Sequence, residues 1–341
     1  MASSYPSPRD VIVGELRREY TLLTNQEWIL DKPGGSALYA AAGYLVWENE
    51  HPPGISARVG EDYPQAWLDR FARLRIDTSG VVILPQPLDV RTCIIQEAGS
   101  ARETSRPIPH LTRLGASLPS GLVSLPDRTV DVDSRRKRKE TAILEMDIPD
   151  TFLAATGVHI CPLDYLSHNL LPAVFRQRGY TTITLDPGNS YLDPAFLGDI
   201  PALVTGITAF LPSEAGLRSL YQGVTTDIWE MTADLGHYNC EFVVVQRGNG
   251  GQYLYESSSR RRWEIGPYPA RVQNTYGSGS SFCGGFLYGY RMSFDPLEAV
   301  CCGNASSSLA VEGCGPFYPL DALPGLAKAR IEVVRDLVRK I

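Results

Sequence analysis

The chain is poor in the residues that build metal centres and cross-links. Its 341 residues include only five histidines and seven cysteines. The cysteines (Cys93, Cys161, Cys240, Cys283, Cys301, Cys302, Cys314) form no C-x-x-C pair. The histidines (His51, His110, His159, His168, His237) form no H-E-x-x-H pattern, so a metal site built of His and Cys is not expected. An odd number of scattered cysteines reads as reduced, buried thiols of a cytoplasmic protein rather than a disulfide framework. No apolar run reaches the about 18 residues needed to span a bilayer, so no membrane partner is expected. Met1–Asp10 (MASSYPSPRD) has no apolar core, so it reads as a disordered tail and not as a secretory signal. Basic residues are also short: 32 Lys and Arg against 38 Asp and Glu, a net charge of −6. That deficit argues against nucleic acid as a partner.

What is present is an ordinary globular composition, 43% hydrophobic and 21% charged, with enough length for one large core. Short β-rich runs alternate with helical patterns. Strands are expected at Val11–Gly14, Ile55–Val59, Val81–Leu84, Arg91–Glu97, Val158–Cys161, Thr181–Leu185, Ala202–Ile207 and Phe242–Gln246. Helices are expected at Ser36–Trp47, Tyr63–Leu74, Leu163–Arg178 and Thr226–Tyr238. This alternation indicates an α/β fold with a largely parallel sheet. An antiparallel pair within Gly251–Ile265 and helices at Ser280–Met292, Pro296–Glu312 and Ala322–Arg339 follow. The basic run Arg135–Lys139 sits in a polar, irregular stretch and reads as a solvated loop before it reads as a phosphate or nuclear-import patch.

The segment Asn274–Phe286 (NTYGSGSSFCGGF) carries the most chemistry. Gly277 and Gly279 permit positive φ, so that successive amides converge on an anion, and the segment then opens an apolar helix whose free N–H groups point the same way. Gly277, Ser278 and Gly279 are therefore candidate anion-binding residues. Gly284 and Gly285, one turn further, allow close approach of a backbone or a ligand.

This segment resembles the C-terminal signature of the ribokinase/PfkB sugar and nucleoside kinases, D-T-x-G-A-G-D-[SA]-F-x-G-G-F. Thr275, Gly277, Gly279, Ser281, Phe282, Gly284, Gly285 and Phe286 match it. Other pieces follow in family order. Pro33–Gly34–Gly35 with the Ala-rich helix is similar to the acceptor-pocket glycine motif, and Val59–Asp62 to V-G-x-D. Leu185–Asn189 is similar to the D-x-N segment, Gln246–Gly251 to the nucleotide-side glycine turn (Gly248, Gly251), and Asn304–Glu312 to the helix after the signature. The resemblance implies a ribokinase-like α/β fold over residues 11–341, with a central, mostly parallel sheet flanked by helices. It also implies a small β lid from segments near 16–33 and 85–115, through which homodimers form in the family. The chain looks closest to a divergent fungal branch.

Departures from the pattern are concentrated at the chemistry. Where the family has its catalytic Asp this chain has Ser280, and Asn274 replaces the signature's first Asp. The metal-organising P-N-x-x-E aligns on Pro212, leaving Ser213 and Gly216. Tyr39 stands where an Asn is usual, and Glu19 is the nearest match to the sugar-binding Asp. The expected pocket therefore comprises Gly34, Gly35, Tyr39 and Trp28, with Asp186, Glu19 and His110 as candidates for proton transfer and Ser280, a poor proton acceptor, at the catalytic position. Three functions remain open. One is a repurposed non-kinase enzyme acting on a small, aromatic or apolar metabolite. Another is a sugar or nucleoside kinase with a displaced base, requiring ATP and Mg²⁺. The third is a non-catalytic ligand-binding protein.

Overall fold

The computed structural model describes residues 7–341 apart from 49, 98–99, 105, 124 and 126–132. The tail expected at Met1–Asp10 lies outside the described residues over positions 1–6. It also ends earlier than expected, because Asp10 opens the first strand with a buried carboxylate.

The first half of the chain contributes β1 (Asp10–Val13), β2 (Arg17–Leu22), β3 (Trp28–Gly34), α1 (Ser36–Leu45), β4 (Gly54–Gly60), α2 (Gln65–Arg73), β5 (Asp77–Leu84), β6 (Arg91–Glu97), β7 (Ser100–Thr104) and α3 (Pro107–Leu114). Next come β8 (Gly157–Ile160), α4 (Tyr165–Gln177), β9 (Thr182–Leu185), α5 (Ile200–Val204), β10 (Ala209–Phe210), α6 (Glu214–Leu220), α7 (Ile228–His237) and β11 (Phe242–Gln246). The chain closes with β12 (Gln252–Glu256), β13 (Arg261–Ile265), α8 (Ser278–Ser293), α9 (Pro296–Ala310), α10 (Leu326–Asp336) and β14 (Val338–Lys340).

Ten strands form one sheet in the order β14-β13-β12-β11-β10-β9-β8-β1-β4-β5. The pairs from β5 to β11 are parallel and those from β11 to β14 antiparallel. The central strands are buried on both faces, so they read as continuous apolar runs such as Val11–Val13 and Val243–Val245. One face packs on α4–α7 through Phe175, Tyr191, Phe196 and Phe210. Burial contributes about 1.5–3 kcal/mol for each such side chain. The other face packs on α1, α8 and α9.

Two expectations fail locally. Ala202–Ile207 was expected as a strand, yet residues 200–204 are the helix α5 and the strand is the two-residue β10. Pro201 sits in the first turn of α5, where its missing N–H costs nothing, and a short apolar run does not declare its period. The last helix is shorter than Ala322–Arg339. It starts after Gly325 (φ 83°), and its tail peels away to pair as β14 with β13.

The lid is a separate four-stranded sheet, β3-β2-β6-β7. Tyr20, Leu22, Cys93, Ile95, Leu111 and Leu122 form its own small core. The alternate positions of β2 turn Glu19 toward α1. The basic run is tied at its ends. Arg135 donates to Asp199 at 2.8 Å and lies 4.0 Å over the Phe196 ring, and Lys139 pairs with Asp133 at 3.4 Å. Arg136, Lys137 and Arg138 are exposed. No helix among the described residues is long and apolar enough to cross a membrane.

Candidate functional site

The carboxyl ends of β1, β8, β9, β10 and β11 face the start of α8, the place where open parallel sheets collect ligands. Gly277 caps α8 with φ 77°, a left-handed turn that glycine adopts without strain. Asn274 shapes the approach: its side-chain oxygen accepts from the Tyr276 amide at 2.9 Å. Ser278 is internally satisfied, its amide and hydroxyl both donating to the Thr275 carbonyl. The amides of Gly279 and Ser280 have no hydrogen-bond partner among the described residues. They are free donors at the start of the helix, aligned with its dipole, the arrangement expected of an anion cradle. Gly279 departs from the expected positive φ: it is helical, and its missing side chain leaves room for Gln246, whose Oε1 would lie 3.1 Å from a Cβ there. The Ser280 hydroxyl has no hydrogen bond among the described residues and is half-buried.

Asp186, immediately after β9, faces the same helix. Its carboxyl oxygen lies 3.8 Å from the Cys283 thiol, one helical turn beyond Ser280. Burial pushes this carboxyl up to about 8, and the thiol contact offsets only part of that rise. Burial also pushes the Cys283 thiol up, with Asp186 adding to the effect, which disfavours the thiolate. Gln246 completes the floor, donating to the Leu211 carbonyl at 3.0 Å and to the Cys283 sulfur at 3.6 Å.

A titration follows. The Asp186 carboxyl is held near 8 in the folded chain, whereas in the unfolded chain it titrates in the ordinary carboxylate range. Its stabilising contribution is complete below that range and is lost as pH rises through about 8. Asp186→Asn is expected to abolish this decline. Melting curves of the two proteins should nearly coincide at about pH 3, and the variant should become progressively the more stable as pH rises to about 8 and stay so at about pH 9. Parallel curves across that window would refute the assignment.

On the acceptor side, Glu19 is buried, and its carboxyl accepts from the Gly35 amide at 2.8 Å and the Tyr39 hydroxyl at 2.9 Å. Burial raises it to about 7 against those two hydrogen bonds. A side chain at Gly34 would overlap the Glu19 carboxyl, and one at Gly277 would overlap the Tyr39 ring. Tyr39 stands edge-on to Tyr276, with ring centres 5.7 Å apart. Arg17 also belongs here, its Nε donating to Glu15 at 2.9 Å.

The structure thus brings together Glu19, Gly34, Gly35, Tyr39 and Gly277, and it sets Asp186 against α8. It does not bring Trp28 to the pocket: Trp28 pairs with Leu22 and packs in the lid's own core, on the opposite face of the strands from Glu19. His110 lies on α3, its Nδ1 3.3 Å from the exposed Arg102 guanidinium, and is not among these groups. On the nucleotide side Asn304 is fully engaged, accepting from the Tyr268 amide and donating to Gln252 and to the Gly266 carbonyl. Gly251 allows close packing on the Ile265 carbonyl, whereas Gly248 faces open space. Arg17 was not singled out from the sequence, nor was Glu103, which accepts from the Tyr276 hydroxyl at 3.3 Å, nor the side chain of Gln246 beyond its place in the glycine turn. Only Gln246 carries a signal, a polar residue ending the apolar run of β11 before a glycine turn.

The cradle fits a phosphate or another anion. The metal-organising set of the kinases does not fit: Ser213 caps α6 by accepting from the Gly216 amide at 3.1 Å, and Glu214 pairs with Arg218 at 2.8 Å. Among the described residues no group of three or more His, Cys, Asp or Glu side chains is placed to hold a metal ion.

A family model described as pfkB family carbohydrate kinase matches residues 150–323. Among curated proteins, a cytidine kinase of Thermococcus kodakarensis is 24% identical over 290 residues, covering 84% of this chain and 90% of the relative. Among solved structures, a fructokinase from Xylella fastidiosa with bound ATP superposes with a TM-score of 0.67 at 15% identity, covering 95% of this chain and 98% of the other. A ribokinase from Giardia lamblia gives 0.64 at 13% identity, covering 96% and 99%. These likenesses show that the fold is ribokinase-like.

Proposed function

The chain belongs to the pfkB family of carbohydrate kinases, and from that membership we propose that it uses the family's pocket as a non-kinase enzyme on a small metabolite. The observation that carries this reading is the chemistry along one turn of α8. The first turn offers two free amides and the Ser280 hydroxyl where the kinases place a carboxylate base. The carboxyl that faces the helix, Asp186, is raised to about 8 by its burial. A site of this kind holds and donates a proton beside a cradle for negative charge. It suits reactions in which an oxygen becomes anionic, where such donors supply about 3–4 kcal/mol each. The metabolite's flat or apolar part would lie against Tyr39 and Tyr276.

The purified protein with ATP, Mg²⁺ and cytidine, ribose or fructose is expected to release no ADP above the rate without an acceptor. Acceptor-dependent ADP release would overturn the reading.

A second reading is favoured by the position of Asp186: a kinase of sugars or nucleosides whose base comes instead from the end of β9, facing α8 one turn beyond Ser280. Its rate would rise with pH through about 8, as Asp186 loses its proton, and would vanish in Asp186→Asn.

A further inference from the structure

The lid is fastened to the main domain by two phenols. On one side the Tyr39 hydroxyl of α1 donates to Glu19 of lid strand β2 at 2.9 Å. On the other the Tyr276 hydroxyl, just before α8, donates to Glu103 of lid strand β7 at 3.3 Å. The two rings meet edge-on, so Glu19, Tyr39, Tyr276 and Glu103 form one unbroken chain from one lid strand to another. It passes directly over Gly277, the cap of the cradle, where the Tyr39 ring fills the space a side chain would need. Two shorter ties reinforce the Tyr276 end. The Ala101 amide of β7 donates to the Thr275 hydroxyl at 2.8 Å, and the Gln96 amide group of β6 donates to the Gln273 carbonyl.

We infer that these two tyrosines form a clasp that holds the lid shut over the cradle and occupies the acceptor pocket from within. The Tyr39 hydroxyl takes the place on Glu19 that a ligand hydroxyl would otherwise take. A ligand enters only by drawing Tyr39 away from Glu19, and Tyr39 is in contact with Tyr276, so release at one end loosens the other. The lid and the cradle thereby open together. This inference goes beyond the proposed chemistry, and it stands whether the reaction is a proton transfer or a phosphoryl transfer.

The test is hydrogen exchange followed by mass spectrometry on the full chain, comparing wild type with Glu103→Gln, Tyr276→Phe and Tyr39→Phe. Glu103 is exposed, so Glu103→Gln should leave the fold intact. Its lid strands β6 and β7 and the segment 273–277 should exchange about 10-fold faster than wild type, with α4 and α9 unchanged. Tyr276→Phe should match it. Tyr39→Phe should accelerate β2 as well as β7, because the two ends are coupled. Tyr44→Phe serves as the control, since that phenol donates to Asp10 at 2.8 Å far from the lid and should leave lid exchange unaltered. Unchanged lid exchange in both Glu103→Gln and Tyr276→Phe would overturn the clasp. So would acceleration of β2 alone in Tyr39→Phe, because the two ends would then be independent.

Discussion

Ser280→Asp is expected to give the protein measurable ATP-dependent phosphotransfer, about 10²-fold or more above wild type with cytidine or ribose as acceptor. General-base catalysis typically contributes about 10²- to 10⁴-fold, which is roughly 3–5 kcal/mol of barrier. The lower end applies here, because Ser213 and Gly216 still replace the metal-organising pair and Tyr39 still fills the pocket. The fold should tolerate the change. Position 280 lies in the first turn of α8, where a carboxylate is stabilised by the helix dipole by about 0.3–1 kcal/mol. The measurement is coupled ADP release alongside a melting curve. A variant that is stable and binds ATP yet is as inactive as wild type would show that the missing base is not the reason for silence.

The second large effect concerns packing. Gly284→Ala should destabilise the protein by about 3 kcal/mol or more, at or beyond the usual range for overpacking, because the new methyl group meets rigid backbone. The group in its way is the Ala40 carbonyl of α1. Gly43 makes the reciprocal contact, its missing side chain leaving room for the Ser281 carbonyl of α8. Denaturant unfolding of the variant measures the loss. A change below about 1 kcal/mol would mean that α1 and α8 separate easily, contrary to the close packing seen here.

The sequence made the α/β alternation and the glycine turn into α8 legible because both depend on local chemistry. Continuous apolar runs mark buried parallel strands, and Gly277 marks a left-handed turn into a helix. It placed Glu19, Gly34, Gly35 and Tyr39 together through a motif and not through any property of the residues alone. What stayed hidden depends on contacts between distant segments. The Tyr276–Glu103 bond joins positions 173 residues apart, and the Asp186–Cys283 contact joins positions 97 apart. No periodicity encodes either. The raised titration of Asp186 is likewise a product of burial, which appears only when β9 and α8 meet. Trp28 was misplaced because a strand's alternation fixes which residues share a face but not which face looks inward.

The reciprocal glycine contacts between α1 and α8 have a consequence for how this chain can change. The free amides at the start of α8 are set by its backbone, and that backbone is locked to α1 by carbonyls seated where side chains are missing. Substitution at position 280 leaves those amides where they are. The charge-stabilising backbone and the side chain at position 280 are thus structurally independent. A lineage can exchange one residue on the rim and acquire a different reaction without rebuilding the scaffold that stabilises charge.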